Sequence, residues 1–248
     1  MANSLDPMAD DHGTRDDGAA RFVAGWEASE ATGAVVVVDV LRAFTTAAYA
    51  FAAGAHAILL VDSVAEALAR KASDPSLLLM GEDHGRRPAG FDFSNSPVEV
   101  SRADLSGRTL VQRTSAGTRG VVAARLANRL WCASLVCASA TAAALCQSGL
   151  RAPTYVISGR FADDPDRTGD DDLATAELIE QARAGTDLGT AEAVERVAGS
   201  LEAMRTLALG PDHVHPDDVR LATQVDAVAF AMEIVRTNRD LRLEPRSP

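Results

Sequence analysis

The chain is poor in cysteine, aromatic residues and positive charge, and it has no long unbroken apolar run. Its three cysteines, Cys132, Cys137 and Cys146, are odd in number, sit among apolar neighbours and show no CxxC spacing. This excludes a disulfide framework and a structural zinc site, and it predicts buried reduced thiols and a cytoplasmic location. Aromatics are 4% of the residues, so an aliphatic core of Ala and Val is expected. Basic residues number 24 against 35 acidic ones, a net charge of −11. Such a balance repels phosphate backbones and anionic lipid, which excludes a general nucleic-acid or membrane-surface binder. A small anionic substrate, held by a few local arginines or a metal ion, stays open. No stretch suits a bilayer span, and the acidic N-terminus lacks the basic-then-apolar order of a signal peptide. GxxxxGK[ST], GxSxG and HExxH are also absent, which leaves the P-loop, serine-hydrolase and zincin routes without support.

What the chain does contain is a regular alternation of short apolar runs and amphipathic stretches. With 248 residues, 47% of them hydrophobic, it has room for one α/β domain or two small lobes. Residues 1–20 are acidic and aperiodic and are expected to form a disordered tail ahead of a single domain at 21–248. Four successive valines, Val35 to Val38, read as a strand buried on both faces, followed by an alanine-rich helix to about Ala53. Further strands are predicted at 57–61, 77–80, 109–114, 131–137 and 155–159, with helices between them, including one at 119–130. Residues 190–208 read as helical, and Val225 to Arg236 as a strand–turn–helix or one helix. The expected fold is therefore α/β: a mostly parallel or mixed sheet with flanking helices in α/β/α layers and a helical C-terminal part, compatible with two lobes.

In such a sheet the loops after the strands gather along one edge, where ligands bind. That edge would collect Asp39 and Arg42 after the valine strand, Glu82 after 77–80, and the long loop 83–96 with Asp92 and Asn95. Thr114 to Thr118 after 109–114, Arg160 after 155–159, and Asp170 to Asp172 would join them. Asp39, Glu82 and Asp171 or Asp172 have the chemistry to hold a divalent ion, since Mg²⁺ prefers a few carboxylates with water and phosphate oxygens. Thr114-Ser115-Ala116-Gly117-Thr118 places hydroxyls, a glycine and a helix start where an anion can approach backbone N–H groups. Each has a plain structural alternative. Asp39 would cap the helix and pair with Arg42, Thr114 to Thr118 would be a capped turn, and Asp170 to Asp172 would answer a helix dipole. Ser96, Pro97 and Glu99 form a capping-box pattern. His213 and His215 have metal-like spacing, yet Pro216-Asp217-Asp218 marks them as a helix-start loop. His84 is a candidate proton donor in the long loop.

Three of these stretches together resemble one family. Val38-Asp39-Val40-Leu41-Arg42-Ala43-Phe44-Thr45-Thr46 resembles its signature DVLRATTT. Gly81-Glu82-Asp83-His84-Gly85 followed by Gly90-Phe91-Asp92-Phe93-Ser94-Asn95-Ser96-Pro97 resembles GERxG…GFDxGNSP, and Thr114 to Thr118 resembles TTNGT. The family is the 2-phosphosulfolactate phosphatases, the ComB family, and the ordered match runs over about residues 35–172. The resemblance implies a Mg²⁺-dependent phosphoric monoester hydrolase linked to coenzyme M synthesis, releasing sulfolactate and phosphate. It implies Asp39, Arg42, Glu82 and Asp92 as catalytic residues, with Asp39 preferred over Asp92 as a carboxylate nucleophile. Asn95, Ser96, Thr114, Ser115, Gly117, Thr118 and Arg160 would bind the substrate; Asp39, Glu82, Asp171 and Asp172 would hold the metal. The expected partner is a small anionic phosphoester, with no nucleic acid and no membrane; a homo-oligomer is compatible with the sequence. Asp83, Ser94 and Ala116 replace the family's usual Arg, Gly and Asn. Two alternatives follow from these replacements: a phosphatase for a different phosphorylated acid, or a non-catalytic anion-binding regulator on the same scaffold.

Overall fold

A computed structural model of the chain describes residues 18–164, 166–186, 188–237 and 240–247. The acidic tail expected at the N-terminus lies, up to residue 17, outside the described residues. The valine run forms β2 (Gly33–Val38), which follows a short strand β1 (Arg21–Ala24) that the sequence reading did not anticipate. Alternation explains the four valines. Val35 and Val37 pack with Phe44, Ala47 and Phe51 of α1 (Ala43–Ala52) on one face. Ala34, Val36 and Val38 pack on the other face with Leu145 of α5 (Ala138–Gln147) and Ile179 of α6 (Asp170–Ala184). Both faces of β2 are core, so no polar residue is tolerated along it.

The next units follow their patterns. β3 (Ala57–Leu60) leads to α2 (Val64–Ser73), which Ser63 caps by accepting the Glu66 N–H at 3.1 Å. β4 (Leu78–Gly81), α3 (Pro97–Ser101), β5 (Thr109–Arg113) and α4 (Gly117–Ala123) come next. The capping box at α3 is altered. Ser96 accepts the Glu99 N–H at 3.2 Å, but the Glu99 carboxylate reaches back to the Ser94 N–H at 2.8 Å rather than to that of Ser96.

Two expectations need correction. The helix predicted at 119–130 stops at Ala123, and β6 (Ala127–Ala133) starts four residues before the predicted strand at 131. The cause is tertiary: β6 pairs in parallel along the whole of β2, from Gly33 opposite Ala127 to Val38 opposite Ala133, which overrides the helical propensity of 124–130. The C-terminal part is helical through α6, α7 (Thr190–Ala198), α8 (Leu201–Ala208) and α9 (Asp218–Ala222), and then ends in a hairpin. Its strands, β8 (Ala231–Arg236) and β9 (Leu241–Arg246), replace the helix considered for 225–236. Buried Met232 and Ile234 flank the half-buried Glu233, a period of two that fits a strand.

With β7 (Thr154–Ile157) the nine strands form one mixed sheet in the order β1-β7-β2-β6-β8-β9-β3-β5-β4. The hairpin divides it into two parallel blocks, β1-β7-β2-β6 and β3-β5-β4, and its three antiparallel pairings reverse one block against the other. The two sets of strand ends therefore do not share an edge in the manner of an all-parallel sheet. They nevertheless meet: Gln112 near the end of β5 donates to the Ala43 carbonyl at the start of α1 at 2.8 Å. Strand twist of about 20–25° per neighbouring pair, accumulated from β2 to β5, offsets much of the reversal and swings the two sets of ends together.

Candidate active site

At this junction Asp39 follows β2 and is buried. Its Oδ1 accepts the Ala43 N–H at 2.9 Å, so the helix-start role foreseen for it is real. Its Oδ2 faces Gly117, where a Cβ would stand 2.7 Å from that oxygen. Glycine is thus required at 117 by close approach to the carboxylate. Beside Asp39 lies a cavity of about 400 Å³. Asp39, Arg42, Glu82, Asn95 and Ser115 line it from the motif-bearing loops; Phe161, Asp164, Arg167, Glu202 and Arg205 line it from the loop before α6 and from α8.

Arg42 does not pair with Asp39. Its Nη1 lies 2.7 Å from Oδ2 of Asp218, and both side chains are buried. Asp218, at the start of α9, also accepts from Ser96 Oγ at 2.6 Å, from the His215 N–H at 3.1 Å and from the Val98 N–H at 3.3 Å. Ser96 is therefore corrected from a substrate ligand to a helix cap and a strut for Asp218. His215 Nδ1 accepts the Asp217 N–H at 3.1 Å, in keeping with the structural loop expected there.

Glu82 is a cavity residue whose two oxygens are already engaged. The Ser115 N–H donates to Oε1, while the Gly85 N–H at 2.6 Å and the Ser115 hydroxyl at 3.0 Å donate to Oε2. It ties the loop after β4 to the turn after β5. Gly81, with φ +133°, lets the two strand ends meet, since a Cβ there would overlap the Arg113 carbonyl at 1.9 Å. Thr114 and Thr118 are buried and cap each other: the Thr114 N–H donates to Thr118 Oγ1 at 2.9 Å, and the Thr118 N–H to Thr114 Oγ1 at 3.1 Å. The amide cradle foreseen at 115–118 is therefore reduced, because Ser115 and Thr118 N–H already have acceptors. The Ala116 and Gly117 amides have none among the described residues.

Two candidates are not brought to the site. Asp92 accepts the Leu79 N–H at 2.7 Å and pairs with Lys71 at 2.5 Å, which ties the long loop to β4 and α2. Arg160 donates from Nε to the Thr168 carbonyl at 3.1 Å across its own loop and is absent from the cavity lining. Asn95 is brought there: it is buried, lines the cavity, and its Oδ1 has no partner among the described residues. His84 lies at the exposed mouth.

Sequence reasoning missed the second wall. Arg167 pairs with Glu202 at 2.9 Å, and Arg205 lies 4.0 Å from the same carboxylate. Glu202, Arg205, Thr206 and Leu209 all line the cavity, at one-turn spacing. The obvious hydrophobic stripe of the same helix, Leu201, Met204 and Leu207, is exposed, so its amphipathic signal points the wrong way.

The acids at the start of α6 divide by role. Asp172 has both oxygens in use: Oδ1 accepts the Val40 N–H at 2.8 Å, and Oδ2 accepts the Gly159 N–H at 2.8 Å. It ties β7 and α6 to the residue after Asp39, a structural tie rather than a metal ligand. Asp171 is buried and its Oδ1 has no partner among the described residues. Burial, then the charges of Glu202 and Asp39, push the Asp171 carboxyl up to about 8. Burial also lifts Asp39 to about 6; the Ala43 N–H opposes this, and Glu82 and Glu202 add to it. Burial and then the Asp171 and Asp39 charges raise Asp172 well above the carboxylate range. Raised proton affinity in neighbouring carboxylates marks a site short of positive charge.

The fit to a divalent ion follows. Among the described residues no three His, Cys, Asp or Glu side chains gather into a metal cage. Mg²⁺ asks for less, since one or two carboxylates with water and substrate oxygens suffice. Asp39 and Asp171 fit that requirement, by their mutual repulsion and the unpartnered Asp171 oxygen. Glu82 and Asp172, engaged by N–H donors, drop out of the expected ligand set.

Fold and cavity together define an α/β protein with a cleft for a small anion beside a buried carboxylate pair. The family model described as 2-phosphosulpholactate phosphatase matches residues 23–207. The chain belongs to this family. It is similar to a probable 2-phosphosulfolactate phosphatase of Bacillus subtilis, 36% identical over 80% of this chain and 86% of that one. A protein of the same description from Thermus thermophilus is 35% identical over 84% of this chain and 81% of its own. One from Thermoplasma acidophilum is 30% identical over 79% and 91%.

Proposed function

We propose that the chain is a Mg²⁺-dependent phosphatase that hydrolyses a small acidic phosphomonoester, 2-phosphosulfolactate, to sulfolactate and phosphate. The observation that carries this reading is that Asp39, Arg42 and Ala116 line one cavity, with Gly117 against the Asp39 carboxylate and the buried Asp171 charge near it. Asp39 and Asp171 would hold the ion, and a bound Mg²⁺ supplies neutralisation of the phosphoryl oxygens. The chain's own groups do the rest. Arg42, fixed by Asp218, presents its remaining N–H groups to the phosphoryl oxygens. The two free amides add donors where charge grows in the transition state. The Asn95 carbonyl oxygen accepts from a hydroxyl or water in the cavity. Asp39, with its carboxyl at about 6, is ionised at neutral pH and stands where it can attack phosphorus or orient a water for that attack. Glu82 positions Ser115 and, through it, the turn.

The test is inorganic phosphate release from a panel of phosphomonoesters that includes 2-phosphosulfolactate, in Mg²⁺ and in EDTA. Release from the acid-bearing esters that stops in EDTA is expected. Absence of metal-dependent release from every ester would contradict the reading.

A further inference from the structure

The wall of the cavity furthest in sequence from the motifs has its own logic. The Arg167 guanidinium stacks on the Phe161 ring, with Cζ 4.5 Å from the centroid. Its Nη2 is held at 2.9 Å by Glu202 Oε1, while its Nε is buried and has no acceptor among the described residues. Ring and carboxylate fix the plane of the fork, and its Nε and Nη1 donors make no hydrogen bond among the described residues. Guanidinium donors held in place at a cavity wall without an acceptor favour an acidic group there. Arg205 lies one turn along α8 from Glu202, 4.0 Å from the other carboxylate oxygen. One carboxylate thus serves two guanidinium groups. Asp164, also at this wall, has its Oδ1 engaged by the Asp166 N–H at 3.1 Å. At about 400 Å³ the cavity has room for more than a phosphate.

We propose that Arg167 and Arg205 form the subsite for the second acid group of the substrate, a carboxylate or sulfonate, and so set the preference for phosphorylated acids over phosphomonoesters without a second acid. Arg167, stacked and held by Glu202, offers a planar donor edge to that group, and Arg205 adds charge from α8. The role expected for Arg160 passes to Arg167, because Arg160 is committed to its own loop. The subsite rests on the phosphatase reading for its substrate, but its binding is separable from turnover.

The experiment measures kcat/KM for 2-phospholactate, for 2-phosphosulfolactate and for isopropyl phosphate, which lacks the second acid. The ratio of each acid ester to isopropyl phosphate is compared among wild type, Arg167→Ala, Arg167→Lys and Arg205→Ala. Loss of a charged hydrogen bond predicts that the ratio falls about 30-fold in Arg167→Ala, with the loss mainly in KM. Arg205→Ala is expected to lower the ratio about fivefold, and Arg167→Lys about tenfold, since an ammonium keeps the charge but loses the fork. Arg167→Lys decides the matter if Arg167→Ala does not fold. Ratios within about threefold of wild type in both folded Arg167 variants, or an equal loss on all esters, would overturn the subsite. If wild type hydrolyses none of them, the phosphatase reading fails by itself. Titration of free sulfolactate and lactate, followed by thermal shift, then decides the subsite. Stabilisation of wild type that Arg167→Lys weakens supports it, and no stabilisation, or equal stabilisation, overturns it.

Discussion

The two walls of the cavity are built on different principles. The motif wall is buried and internally bonded: Asp39, Arg42, Glu82, Asn95 and Thr118 are all buried, and most of their polar atoms are engaged within the protein. The opposite wall, the loop before α6 and helix α8, is half-exposed and rests on charged side chains, with Arg167 about 32% and Arg205 about 38% accessible. In the proposed reading the first kind of wall preorganises groups for one chemistry, and the second would meet the variable part of a substrate. A scaffold divided in this way can keep its reaction while its substrate changes.

This comparison can be broken or sharpened by substitutions on either side. Asp39→Asn has the largest expected effect. It removes one of two carboxylates from the reacting centre and should lower kcat/KM by about 10³-fold or more, with the circular dichroism spectrum unchanged. A smaller loss would mean that the motif wall is scaffold and not chemistry. Asp218→Asn comes next. It leaves the Arg42 charge buried without a counter-charge and should destabilise the fold by about 3–5 kcal/mol in denaturant melts, with activity falling alongside. Little change in stability would mean that Arg42 turns to another partner.

The carboxylate pair gives a pH dependence of smaller size. Asp171, at about 8, and Asp39, at about 6, bind protons more tightly in the fold than in the unfolded chain, where a carboxyl titrates near its ordinary value of 3.8. Between those limits the native state carries more protons, so stability falls as pH rises. Protein stripped with EDTA should therefore melt lower at pH 8 than at pH 6. Asp171→Asn should remove much of that difference and stabilise the stripped protein at pH 8 by on the order of 1–2 kcal/mol. A rise in melting temperature from pH 6 to pH 8 would contradict the assignment. The smallest effect is expected from Arg160→Ala. Its bond is confined to its own loop, so stability should move by less than about 0.5 kcal/mol, and activity should stay within about twofold. A large loss there would return Arg160 to the site.

The same division governs what the sequence discloses. Asp39, Glu82, Asn95 and Ser115 are legible because they end buried strands or sit in turns whose glycine and hydroxyl pattern has a local cause. The α/β alternation and the buried β2 are legible for the same reason, since period and burial are local properties. The central hairpin is not. Its position between two parallel blocks is a pairing at long sequence separation, and its alternating pattern is short. The start of β6 is displaced because β2 draws Ala127, Asn128, Arg129 and Leu130, which read as the end of a helix, into a strand. Ser96 and Asp92 looked like site residues by position in a loop, yet their carboxylate or hydroxyl bonds are structural. Arg167, Glu202 and Arg205 were out of reach, because α8 exposes the apolar stripe that a reader would bury and turns its charged face to the cavity.

The central proposal is that Asp39, at the cavity, and Asp171, buried beside it, together hold a divalent cation. Calorimetric titration of Mg²⁺ into the EDTA-stripped protein at pH 7, in buffers of different ionisation enthalpy, tests it most directly. Wild type should bind Mg²⁺ with release of protons, because the ion displaces the proton that Asp171 holds at that pH, and Asp39→Asn should bind far more weakly. Equal affinity in the two proteins, or binding without proton release, would contradict the account.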